Sequence, residues 1–435
     1  MKSIDRRTFI ASTAAMAVSA LRPLGANDRI QVAVIGVRSR GREHISIFGK
    51  QSQATIAAIC DIDPEQSARA VELTDQIQGR KPKVYQDLRK LLEDNSIDVI
   101  SIATCNHWHA LATIWACQAG KDVYVEKPAS HNIFEGRKMV EAAHKYNRIV
   151  QVGMQSRSTE HKVQAIRRLR EGVIGKIYLA KGICFKRRQS IGQKPDGPVP
   201  SGVDYDLWRG PAPMRPFNAN RFHYNWHWFW DTGNGDIGNQ GVHEMDIARW
   251  GLNKRTLPKR VVSAGGKFVY DDDQETPNTQ LATFEYEDCQ LVFEVRGLLT
   301  GGESSVVLDG NNYIGNHFFG SEGYMSVDLQ GYQIYKGEKR ELVEQVAFKE
   351  PQTWDTTPII QNFLQAVRSR KAQDLTCDAE EGHLSAALCH MANISYRTRR
   401  ILDFDPKSEN FPGDREANSY LARAYRAPFT VPQKI

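Results

Sequence analysis

The apolar positions of this chain fall into two regimes. In the first, short continuous apolar runs alternate with segments of helical period. Val32–Gly36 is followed by a helix from Gly41, and Ala54–Cys60 by a helix that Asp63 caps and Pro64 opens. Val84-Tyr85 precedes a helix over Asp87–Leu92, and Ile97–Ala103 precedes His109–Ala119, closed by Gly120. Asp122–Val125, a helix over Ile133–Tyr146 and Ile149–Val152 complete the series. Strand–helix alternation of this length predicts a parallel, doubly wound sheet. After residue 153 the regime changes. A helix over Glu160–Glu171 leads into longer, alternating strands: Lys176–Phe185, Val261–Tyr270, Thr279–Phe284, Gln290–Val295, Tyr324–Asp328 and Gln333–Lys336. Alternation marks one buried face, so the second half is expected to be an α/β domain on a large, open, mainly antiparallel sheet. Residues 189–230, rich in Gly, Pro and aromatics, read as a long loop over a site. Thr357–Ser369 and Ala379–Arg400 are late helices. The tail from Asp403 has little periodicity and is expected to wrap the surface or reach a partner chain.

Residues 1–26 belong to neither regime. A basic start (Lys2, Arg6, Arg7), a weakly apolar run from Phe9 to Leu21 and small residues around Gly25-Ala26 read as a twin-arginine export signal, which places the protein in the periplasm. The signal's run is too short to span a membrane, and no later segment is long enough. The expected organisation is therefore a signal over 1–26, a nucleotide-binding Rossmann domain over 27–152, a C-terminal α/β domain over 153–402 and a tail over 403–435. Such a pathway carries folded proteins. A cofactor would be loaded before export and travel bound, which favours chemistry that restores it in every cycle.

With 41% apolar and 25% charged residues, the 435-residue chain has the composition of a globular protein of two domains. Its net charge of +6 is spread along the sequence, with clusters such as Arg167-Arg168 and Lys186-Arg187-Arg188 but no long basic block. That pattern reads as a solvated basic surface, not as a nucleic-acid site. The seven cysteines form no CxxC pair and read as small core residues.

Four segments carry chemistry. Gly36-Val37-Arg38-Ser39-Arg40-Gly41 lies between a strand and a helix, as a dinucleotide turn should. Gly36 permits the tight turn, Gly41 lets helix and strand pack closely, and the backbone N–H groups hold a pyrophosphate. Arg38 replaces the middle glycine of the usual fingerprint. Asp61, ending the second strand, either accepts hydrogen bonds from an adenosine ribose or only caps the turn before Pro64. The first reading favours NAD over NADP, while Arg38 and Arg40 lie close enough to offer a phosphate contact. Thr104, Asn106, His107, Trp108 and His109 follow the fourth strand, at the sheet edge where ligands bind. Glu126 and Lys127, in Glu126-Lys127-Pro128, follow the next strand. A lysine there can hold a substrate hydroxyl and stabilise developing oxyanion character; the same tripeptide can equally be a surface turn.

The fourth segment is Gly-rich, from Asp231 through Asp236 and Asn239 to His243 and Asp246, and it feeds a helix. Asn239, His243 and Asp246 are spaced to share one helical face. A histidine suits moving the proton of an alcohol. The segment lacks the HExxH pattern and a second histidine at ligand spacing, so no metal is expected. Just before it, Phe222–Trp230 is dense in aromatics, including Trp228 and Trp230. These are either core or flat faces for the C–H side of a sugar.

In order and spacing these segments resemble the Gfo/Idh/MocA oxidoreductases over residues 29 to 402, and within that family the exported members acting on sugars, glycosides or polyols. The resemblance implies that Lys127 lies by nicotinamide and substrate, that His243 is the acid/base, and that the open sheet forms a homo-oligomer interface. Such dehydrogenases commonly have an aspartate four residues before the histidine. Here it is Asn239, which can orient a hydroxyl but cannot act as a base; Asp236 or Asp246 could compensate.

Overall fold

A computed structural model of the chain describes residues 28–300, 312–348 and 355–435. The export-signal reading of residues 1–26 lies outside them. Among the described residues the first sheet has six strands: β1 (Ile30–Ile35), β2 (Ala54–Cys60), β3 (Lys83–Tyr85), β4 (Val99–Ile102), β5 (Asp122–Val125) and β6 (Val150–Val152). All pairings are parallel, in the order β3-β2-β1-β4-β5-β6. β2, β4 and β5 are buried along their whole length, which is why the sequence shows them as unbroken apolar runs. The expected helix start after β2 holds: Asp63 accepts the Glu65 N–H at 3.0 Å, and Pro64 opens the Pro64–Gln78 helix. The strand order reverses between β1 and β4, so the crevice beyond their C-terminal ends is the natural ligand position.

The second sheet contains β7 (Ile177–Phe185), β8 (Arg260–Gly266), β9 (Thr279–Glu285), β10 (Gln290–Arg296), β11 (Tyr313–Gly320), β12 (Gly323–Val327), β13 (Gly331–Lys336), β14 (Glu341–Ala347) and β15 (Leu402–Asp403), in the order β14-β13-β12-β11-β7-β10-β9-β8-β15. It is antiparallel except where β10 runs parallel to β7. β8 stops at Gly266, short of the expected Tyr270. Beyond it the Asn278 side chain clamps the loop, accepting the Phe268 N–H at 3.1 Å and donating to the Phe268 carbonyl at 2.7 Å. β11 and β14 were not expected. β11 carries Gly315 and Gly320 and a buried Asn316 that donates to the Glu244 carbonyl; β14 is a largely exposed edge.

One face of this sheet is covered by the Gly241–Gly251 helix, which crosses β7, β10 and β11. A Cβ at Gly241 would lie 2.4 Å from the Phe293 ring, so helix and strand are in contact there. The Ala379–Thr398 helix packs against both the Ile133–Lys145 helix and β8 and joins the two halves through one hydrophobic core. The tail wraps back over the first half. Phe429 packs edge-on to Trp108 with centroids 5.5 Å apart, and Leu421 accepts the Phe134 N–H. All seven cysteines are buried thiols.

Candidate active site

Beyond the C-terminal ends of β1, β2, β4 and β5 lies a cleft of about 410 Å³, roofed by residues 186–188 and 207–227. Gly36, Asp61, Lys127 and His243 all line it. Gly36 has φ +78°, and a Cβ there would lie 2.8 Å from the Ala103 carbonyl oxygen. Only glycine gives this turn its shape and its close approach to the next strand. Gly41 packs behind the turn, where a Cβ would strike the Gly36 carbonyl. The Ser39–Lys50 helix starts at Arg38 with no side-chain cap, so its first N–H groups are left for another acceptor. Arg38, Ser39 and Arg40 line the cleft beside them.

Asp61 takes the structural role weighed for it and also faces the cleft. Its carboxylate accepts the Val37 N–H at 2.7 Å and the Asp63 N–H at 3.0 Å, fastening the glycine turn to the turn before Pro64. It also lines the cleft, and a carboxylate has further lone pairs for ribose hydroxyls. Burial pushes its pKa up to about 6. Arg40 is not reserved for a phosphate. Its Nε donates to Glu126 Oε1 at 2.7 Å and its Nη1 to Glu43 at 2.6 Å. Glu126 also holds His44 at 3.0 Å. Burial alone would raise the Glu126 pKa, but Arg40 and His44 hold it well below the usual carboxylate range. Glu126 therefore anchors the glycine helix to the end of β5.

Lys127 is not in a surface turn. Its Nζ donates to the Asn239 carbonyl at 2.7 Å and lies 3.5 Å from Asn239 Oδ1. Burial lowers its pKa to about 8, against the pull of Glu126. His243, 3% exposed, sits one turn beyond Asn239. Burial and then the Lys127 ammonium push its pKa well below the ordinary histidine value, so the imidazole is neutral. His109 fixes the geometry of two loops, its ring nitrogens lying 2.7 Å from the Pro128 carbonyl and 3.0 Å from that of Thr104. Thr104, His109 and Trp108 line the cleft.

Several expected site residues lie elsewhere. Asn106 is buried and donates to Asn234 Oδ1 at 2.9 Å; His107 points under the roof, 3.0 Å from the Trp208 carbonyl. Both secure the seam between the halves, because their helix turns them away from the strand tips. Asp236 is held by a bidentate bond from Arg188, at 3.0 and 2.6 Å. Asp246 is likewise paired with Arg157, at 2.8 and 2.9 Å, and does not line the cleft. Neither carboxylate lines the cleft beside Asn239. Trp228 is buried and backs the Arg188 guanidinium at 5.3 Å, while Trp230 faces a different cavity.

Residues the sequence reading passed over complete the cleft. Lys186 and Arg188, read as solvated surface, line it, as do Gln155 and Gln240. Of the aromatic run, Phe222, Tyr224, Trp226 and His227 face the cleft, with His227 stacked on Trp226 at 3.6 Å. Only a residue's spatial neighbours separate such a roof from core. Among the described residues no cluster of His, Cys, Asp and Glu is arranged to hold a metal ion.

A Rossmann sheet with a glycine turn, followed by an α/β domain that supplies a histidine to the same cleft, defines a two-domain nicotinamide-nucleotide-binding protein of the oxidoreductase class. Residues 30–154 match the NAD-binding Rossmann fold of the Gfo/Idh/MocA oxidoreductase family, and residues 180–431 match its C-terminal alpha/beta domain. The chain belongs to that family. It is 30% identical over 226 residues to inositol 2-dehydrogenase of Klebsiella pneumoniae (52% of this chain, 55% of that one) and 24% identical over 241 residues to the rhizopine catabolism protein MocA of Rhizobium meliloti (55% and 63%). It is also 34% identical over 136 residues to a glycosyl hydrolase family 109 protein of Stenotrophomonas maltophilia (29% and 30%). The chain thus spans less than two thirds of the length of these relatives. In fold it is similar to a levoglucosan dehydrogenase solved with NADH and levoglucosan (TM-score 0.65, 18% identity, 86% of this chain and 99% of that one). It is similar also to the WlbA dehydrogenase of Bordetella pertussis solved with NADH and UDP-GlcNAcA (TM-score 0.62, 20% identity, 87% and 99%).

Proposed function

We propose that the protein is an NAD-dependent oxidoreductase acting on a ring hydroxyl of a sugar, glycoside or polyol. The observation that carries this reading is the meeting of Gly36, Asp61, Lys127 and His243 in one aromatic-roofed cleft. The glycine turn and uncapped helix start fit a pyrophosphate, and Asp61 fits a ribose. When bound, NAD supplies the hydride acceptor. His243, held neutral, takes the hydroxyl proton. The Lys127 ammonium steadies the charge developing on that oxygen, and Asn239 orients the hydroxyl through its amide. Tyr224, Trp226 and His227 present flat faces to the ring and limit water. The inositol and levoglucosan dehydrogenases named above support the substrate class.

A second reading is favoured by the glycosyl hydrolase relative: transient oxidation that acidifies a neighbouring C–H, followed by cleavage or epimerisation and restoration of the cofactor. The twin-arginine segment supports export with nucleotide already bound, and therefore a recycled cofactor. A homo-oligomer through the open sheet is supported by exposed Tyr178, Val262 and Leu281 on its strands. The deciding experiment denatures the purified protein, identifies any released nucleotide by mass, and follows a glycoside panel by reduced-nicotinamide absorbance and product analysis. Bound NAD with turnover supports the proposal. Bound NAD without turnover on any substrate indicates a non-catalytic sugar-binding protein, and absence of nucleotide indicates a dehydrogenase that exchanges its cofactor freely.

A further inference from the structure

Behind the catalytic loops lies a second cavity, of about 240 Å³, built from five separate stretches of chain, Pro213 among them. His131 comes from the loop after β5, Trp230 from the Gly-rich segment, Arg397 from the end of the Ala379–Thr398 helix, and Tyr420 and Arg423 from the tail. Neither Trp230 as a core or sugar-facing ring nor the tail as a surface wrap or partner contact accounts for this cavity.

Its chemistry is cationic and incompletely satisfied. Arg423 has a side chain only 12% exposed. Its Nη2 donates to the Asp231 carbonyl at 2.9 Å and to the ring of His131. His131 in turn lies 3.1 Å from the Gly233 carbonyl. These contacts define one arrangement: a neutral imidazole accepts from Arg423 at Nδ1 and donates from Nε2–H to Gly233. The Nε and Nη1 groups of Arg423 are buried with no hydrogen-bond partner, and the nearest carboxylate oxygen, on Glu135, lies 3.8 Å from Nε. Buried donors on a charged group are costly to leave unpaired, so they mark a place where an acceptor belongs. Across the cavity the Arg397 guanidinium lies between two aromatic faces, 5.0 Å from the Trp230 ring centre and 4.1 Å from that of Tyr420. The one carboxylate in the lining, Asp231, is already engaged by Arg209 and Arg215.

We propose that this cavity is a second ligand site, distinct from the catalytic cleft, that takes a small oxyanion, either a carboxylate or a phosphate, between Arg423 and Arg397. The site shares its walls with the catalytic loops. His131 is four residues beyond Lys127, and Asn234, which donates to the His131 carbonyl at 3.0 Å, opens the turn that carries Asn239. An anion held here braces both loops from behind.

Calorimetry on the full-length, nucleotide-loaded protein tests this, with inorganic phosphate in one arm and acetate in the other. Saturable binding of either supports the site, and the arm that binds tells phosphate from carboxylate. The affinity is expected to fall at least tenfold in Arg423→Gln and in the more exposed Arg397→Gln, and to be unchanged in Lys127→Met. Arg397→Gln serves where loss of Arg423 impairs folding. Absence of binding in both arms, or equal binding by wild type and Arg397→Gln, overturns the proposal. So does loss of binding in Lys127→Met, which would place the anion in the catalytic cleft.

Discussion

Lys127 donates to the backbone carbonyl of Asn239 across 2.7 Å, tying the loop after β5 to the helical turn that leads to His243. One ammonium therefore joins the nucleotide-binding half to the half that supplies the imidazole. The bond uses a main-chain acceptor, so it does not depend on which side chain stands at 239. It also leaves the ammonium beside the cleft, where burial holds its pKa near 8.

The alkaline limb of activity should follow from that position. In the proposed mechanism Lys127 acts as a cation, and its charge is lost as pH rises through about 8; His243, with its pKa lowered by burial, stays neutral through the neutral range. The proposed kcat/KM is level around neutrality and falls above about pH 8. In Lys127→Met the limb disappears and the rate drops by about 10²–10³-fold, as for removal of a group that steadies an oxyanion. A pH–rate profile of both proteins checks this.

Restoring a carboxylate at 239 should move the same limb. The Asn239 side-chain oxygen lies 3.5 Å from Lys127 Nζ, so the Asn239→Asp variant places an opposite charge against the ammonium. Opposite charge favours the protonated form, and the limb is expected to shift upward by about one pH unit. A limb that stays in place in the variant would show that Lys127 is not the group titrating.

Gly36→Ala should weaken the cofactor more than the fold. The residue has φ +78°, and a Cβ would meet the Ala103 carbonyl at 2.8 Å. A non-glycine residue in that backbone region costs ~1–3 kcal/mol. The turn must shift to admit the methyl group, and NAD affinity should fall by at least about tenfold, with a modest drop in Tm. Titration of protein fluorescence with NAD, alongside thermal unfolding, separates the two effects.

Much of this architecture was legible in the sequence, for local reasons. β2 and β4 are apolar throughout because both faces are covered, and Asp63-Pro64 marks a helix start by its own capping chemistry. Lys127 could be placed because it follows a strand whose end points at the crevice, and His243, inside a helix of the second half, through the family resemblance. What was not legible depends on distant partners. Arg188 reads as surface until Asp236 and Trp228 are seen around it. Asp246 reads as a companion of His243 until Arg157 claims it. His107 stands between two cleft residues, Thr104 and Trp108, yet helical rotation turns it to the opposite side. β11 was hidden by its glycines and by a buried asparagine whose partner is a helix carbonyl.

Single-turnover absorbance of the nucleotide-loaded protein mixed with an active sugar or glycoside tests the central claim most directly. The proposed role of His243 as proton acceptor predicts growth of the reduced-nicotinamide band in the wild type. In His243→Ala the rate should be slower by about 10²–10⁴-fold with nucleotide still bound. A His243→Ala protein that retains its nucleotide and reduces it at the wild-type rate would contradict the account.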